Sequence, residues 1–82
     1  MPSKRQKIKE LVIDLMALAK EYGFAIEARP DKLEFYAPGW WYVGSVNLDG
    51  EVSIPRSNVR LTPKERGFME YVGRYVKKKY PS

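Results

Sequence analysis

The spacing of apolar positions along the chain changes period twice. From Ser3 to Tyr22, the residues Ile8, Leu11, Val12, Leu15, Leu18, Ala19 and Tyr22 recur every three or four positions, which puts them on one stripe of a helix. Ser3 is placed to cap that helix, Gln6 to complete a capping box, and Gly23 to end it in the left-handed region. From Phe24 to Pro55 the period falls to two and is interrupted by three turn sequences, which predicts four short strands. Helical spacing returns at residues 62–79, with Phe68, Tyr71, Val72, Tyr75 and Val76 as the inward stripe. Thr62, Pro63 and Glu65 form an N-terminal signature of cap, first-turn proline and capping box. Gly67 and Gly73 each weaken this helix by roughly 0.5–1 kcal/mol relative to alanine. Close approach to another backbone would explain that cost. The expected fold is α+β, in the order α-β-β-β-β-α. A four-stranded antiparallel meander carries two antiparallel helices on one face, and residues 1–82 form one small domain.

The turns predict the pairing. A tight turn at Arg29–Lys32 sets Ala28 opposite Leu33, Ile26 opposite Phe35 and Phe24 opposite Ala37. A type II turn at Ala37–Trp40, with Gly39 at positive φ, sets Phe35 opposite Tyr42 and Leu33 opposite Gly44. A bulged hairpin at Asn47–Gly50, with Gly50 in the left-handed region, sets Val46 opposite Val52 and Gly44 opposite Ile54. Opposed residues share a face. The inner face is therefore expected to carry Phe24, Ile26, Ala28, Leu33, Phe35, Tyr42, Gly44, Val46, Val52 and Ile54. Ala25, Glu27, Arg29, Glu34, Tyr36, Trp41, Val43, Ser45, Asn47, Glu51 and Ser53 are expected on the outer one.

Charge changes the picture more than composition does. The net charge is +5, and all of the excess lies in two segments. Lys4, Arg5, Lys7 and Lys9 precede the first acidic residue, and Arg74, Lys77, Lys78 and Lys79 follow the last. An even number of strands brings the start of the first helix and the end of the second to one pole, so these eight cations should gather there. The Asp31 and Asp49 turns should fall at the same pole and offset part of the charge. Lysines in a last turn complement the helix dipole, whereas cations in a first turn oppose it, by about 0.3–1 kcal/mol. A cationic pole of this kind suits polyanions, and nucleic acid is the expected partner. The competing reading is that these charges only keep the protein soluble.

The outer sheet face offers a second candidate surface. Ala25, Tyr36 and Trp41 are expected there in one row with Val43 beside them, either as a cross-strand aromatic pair that only stabilises the sheet or as a stacking platform or protein contact, with homodimerisation the favoured functional form. Glu27 and Glu34 should face each other on the same surface. With Arg29 and Lys32 diagonal to them the pair is read as structural, and no enzyme activity is expected. The sequence contains no cysteine and no histidine, which removes disulfides, thiolate metal sites and the commonest general base. No cofactor, metal or small-molecule substrate is expected. Abundant Lys, Arg and Glu with few Asn and Gln is a thermophile-like composition. Lys4–Ala19 superficially imitates a secretion signal, but Asp14 interrupts its apolar run and the run has helical periodicity, so a cytoplasmic protein is expected. The order helix, strands, helix resembles the double-stranded RNA-binding domain. That family has three strands and a lysine cluster opening its second helix. Here there are four predicted strands and only Lys64 and Arg66 in that position, so no residue role is carried over.

Overall fold

The computed structural model describes residues 3–57 and 61–81. Its elements are α1 (Lys4–Glu21), β1 (Ala25–Ala28), β2 (Lys32–Ala37), β3 (Trp41–Asn47), β4 (Val52–Ser53) and α2 (Pro63–Lys79). The strands form one antiparallel sheet in the order β1-β2-β3-β4, as the turn sequences predict. Of the connector between β4 and α2, residues 58–60 lie outside the described residues, and Leu61 is buried.

The helix ends are set by the expected caps, with one change. Ser3 Oγ accepts the Gln6 backbone N–H, but the Gln6 side chain donates onward to Glu10, so no reciprocal box forms. At α2 both halves of the box are present between Thr62 and Glu65. Gly23 leaves α1 at φ 78°, in the left-handed region glycine tolerates. On α1 the residues Ile8, Leu11, Leu15 and Ala19 are buried. On α2 the buried set is Phe68, Met69, Val72, Gly73 and Val76. Met69 thus takes an inward place that the periodicity assigned to Tyr71, which stays exposed. The Phe68 ring lies 4.8 Å from Tyr22, 5.2 Å from Phe24 and 5.6 Å from Phe35, tying both helices to the sheet. Helix contacts at Asp14–Tyr75 and Tyr22–Phe68 show that α1 and α2 run antiparallel. The molecule measures 38 × 20 × 19 Å.

The β1–β2 register is as predicted, including Glu27 opposite Glu34. So is Val46 opposite Val52, with Gly50 at φ 82° and its N–H bonded to Asn47 O. The β2–β3 hairpin departs from prediction in two compensating steps. Trp40 N bonds Ala37 O and Gly39 has φ 90°, but Trp40 also takes positive φ, at 63°. The loop gains a residue, and Ala37 pairs with Trp41 and Tyr36 with Tyr42. A β-bulge at Val43 then adds a second residue, so that Phe35 pairs with Gly44 and Leu33 with Val46. Each step inverts the faces and the two together restore them. Only residues 41–43 stay inverted.

The expected outward row of Tyr36, Trp41 and Val43 is therefore corrected. Val43 is fully buried, and Trp41 packs against the core. Tyr42, expected inside, shares the outer face with Tyr36.

Candidate polyanion-binding pole and aromatic face

Lys4 and Arg5 occupy the first turn of α1, which holds no acidic residue, and Lys77, Lys78 and Lys79 occupy the last turn of α2. Three contacts bring the segments to one pole. Lys4 lines a recess with Asp31, Asn47 and Asp49, in the β1–β2 and β3–β4 turns. Lys77 runs beside Gly50. The Lys7 ammonium lies 5.1 Å from the centroid of the Tyr80 ring.

The cations are not equivalent. Lys79 pairs with Asp14 and stands 3.7 Å from Glu10. Tyr75 donates to the same Asp14 carboxylate at 2.7 Å, and Tyr80 donates to Glu10 at 2.8 Å. The hydrogen bonds from Lys79 and then Tyr75 hold the Asp14 carboxyl below the usual range, and the bond to Asp14 raises Lys79. Lys79 is thus part of the seam between the helices. Lys7 is half-covered beside Tyr80. Lys4, Arg5, Lys9, Arg74, Lys77 and Lys78 are exposed and have no ion-pair partner among the described residues. Glu70, Arg74 and Lys77 of α2 line a recess together with Gly50, Glu51 and Val52.

On the outer sheet face an aromatic cluster does form, with membership different from that expected. Tyr36 lies between Trp40, at 5.9 Å, and Tyr42, at 5.5 Å edge-on. Trp40 is 74% exposed, the most exposed large apolar side chain among the described residues. Beside the cluster Arg29 bridges Glu27, at 3.1 Å, and Glu34. Its hydrogen bond lowers the Glu34 carboxyl, so the diagonal arginine offsets part of the repulsion between the facing carboxylates. Desolvation, then the nearby Glu34 and Glu27 charges, raise the Tyr36 hydroxyl. Sequence reasoning missed Trp40 and Tyr42. The available signal was Val43 and Val46, which are three residues apart and can share a buried face only across a bulge.

No described helix is long and apolar enough to cross a membrane. No family model matches the chain, and it has no match among curated proteins or solved structures.

Proposed function

We propose that the protein is a small nucleic-acid-binding module that uses the cationic pole made by the start of α1 and the end of α2. The observation that carries this reading is the set of exposed cations Lys4, Arg5, Lys9, Arg74, Lys77 and Lys78, contributed by two distant segments and without an ion-pair partner among the described residues. Cations in the first turn of α1 oppose its dipole, so they serve an outside partner better than they serve their own helix. Phosphate contacts by such residues position a nucleic acid without reading its sequence. A gel-shift titration against duplex DNA, single-stranded DNA and RNA at two salt concentrations tests it. Binding should weaken with salt, at a log–log slope of about −0.9 for each phosphate contacted on duplex DNA. No binding at low salt discards the reading.

A second reading is a homodimer or protein contact through Tyr36, Trp40 and Tyr42. It is favoured by Trp40, which combines a left-handed backbone, rare for a bulky residue, with a largely exposed side chain. Sedimentation of wild type against Trp40→Ala tests it, and a monomeric wild type at high micromolar concentration ends it.

A further inference from the structure

We infer that the free edge of β1 is a docking site for an extended acidic peptide of another protein, added as a fifth strand beneath α1. Among the described residues β1 has a strand neighbour on one side only. Arg29 N–H bonds Lys32 O, which makes that pair hydrogen-bonded. Antiparallel alternation then leaves Ile26 and Ala28 as the residues whose N–H and C=O point away from β2, toward the open edge. Their side chains lie on the helix side of the sheet, in register with the buried Phe35 and Leu33. The edge thus offers two donors and two acceptors at the spacing of alternate strand residues.

The flank above that edge has the chemistry to select what is added. Two adjoining recesses run between α1 and β1, with Ile8, Val12 and Ala28 as an apolar lining and Lys4, Arg5 and Lys9 as a rim. Among the described residues no acidic one lines either recess. Arg29 also borders one of them, but its charge is already engaged by Glu27 and Glu34. Ile13, 65% exposed, extends the apolar lining outward. A strand added here would turn alternate side chains toward α1, apolar ones onto Ile8 and Val12 and acidic ones to Arg5 and Lys9. A second copy of this chain would set the same cations against each other, which disfavours self-pairing at this edge. A phosphodiester chain offers acceptors for the two amides but no regular row of donors for the two carbonyls. The inference does not rest on the nucleic-acid reading, although Lys4, Arg5 and Lys9 serve both.

The test titrates the full chain into a fluorescent, capped peptide, Glu-Ser-Val-Ser-Val-Ser-Glu, whose glutamates and valines all lie on one strand face. Saturable binding is expected, with slowed amide exchange at Ile26 and Ala28. Ala28→Pro removes one edge donor without touching the β1–β2 ladder, and should weaken binding about fivefold or more. Reversing the rim with Arg5→Glu and Lys9→Glu should abolish binding of this peptide and admit Lys-Ser-Val-Ser-Val-Ser-Lys instead. That double variant alters only the exposed surface of α1 and decides the matter even if Ala28→Pro fails to fold. Absence of saturable binding, or indifference to the charge reversal, overturns the inference. So does protection of the same two amides by oligothymidine, or by self-association without peptide. Loss of peptide binding in Ala28→Pro with oligonucleotide binding retained separates this site from the cationic pole.

Discussion

Gly73 on α2 lies directly over Gly50 in the β3–β4 turn. A Cβ on Gly73 would stand 2.8 Å from the Gly50 carbonyl oxygen and 2.7 Å from Val52 Cγ2. A Cβ on Gly67, six residues earlier, would meet nothing within 4 Å among the described residues. Two glycines with the same propensity cost therefore predict opposite outcomes. Gly67→Ala should stabilise the protein by roughly 0.5–1 kcal/mol. Gly73→Ala should destabilise it, because both obstacles belong to the packed turn and strand and moving them outweighs the helical gain. Urea unfolding of the two variants reads the difference, and a stabilising Gly73→Ala would show that α2 does not sit this close.

Val43 tests the bulge. Fully buried, it should cost about 2 kcal/mol on truncation to alanine, through lost transfer energy and a residual cavity. Had it faced outward, the change would be within about 0.5 kcal/mol. Denaturant midpoints of Val43→Ala distinguish the two registers.

Trp40→Gly should leave stability unchanged or raise it. Glycine relieves a left-handed conformation worth roughly 1–2 kcal/mol, set against loss of a ring contact with Tyr36 worth roughly 0.5–1.5 kcal/mol. If the aromatic face is a contact surface, the same variant loses self-association while its melting temperature holds. A large drop in melting temperature would instead assign Trp40 to folding.

The seam between the helices predicts a pH dependence at both ends. Asp14 is held below its ordinary 3.8, so its stabilisation is present above that value and is lost as pH falls through the folded value. Lys79 is raised above its ordinary 10.5, so its stabilisation is full below that value and disappears as pH rises through the folded value. Asp14→Asn should lower stability near neutral pH and flatten the curve in both windows. Thermal melts of the two proteins from acid to alkaline pH check this, and parallel curves would place the pair outside the folding energetics.

The same seam separates the lysines of α2. Lys77→Gln with Lys78→Gln should reduce the salt dependence of nucleic-acid binding and change stability by about 0.5 kcal/mol or less. Lys79→Gln should do the reverse, lowering stability with little effect on the salt slope, since its charge is already matched by Asp14 and Glu10. Arg56 and Arg66, exposed toward the other pole, are the control pair. Equal losses from all of these changes would indicate diffuse attraction by net charge.

Local chemistry in the sequence determined the element order, both helix stripes in outline, and the outer two hairpins. Caps, glycines at positive φ and period-two alternation act over a few residues, and nothing distant overrode them at Thr62, Gly23, Gly50 or Ala28–Leu33. The convergence of the two cationic segments was legible too, because it follows from the parity of the strand count. Tertiary structure alone decided which cations remain free. Lys79 meets Asp14 across 65 positions of sequence, a pairing no local pattern encodes. It also decided residues 40–43, where a left-handed Trp40 and a bulge at Val43 each slip the register by one, so that the pairing moves by two and the face inversions cancel. Burying both Val43 and Val46 against the helices requires that pair of slips, and it turns Tyr42 outward beside Tyr36 while carrying Trp41 inward. The core's demand for apolar volume outweighed the local preference of the turn.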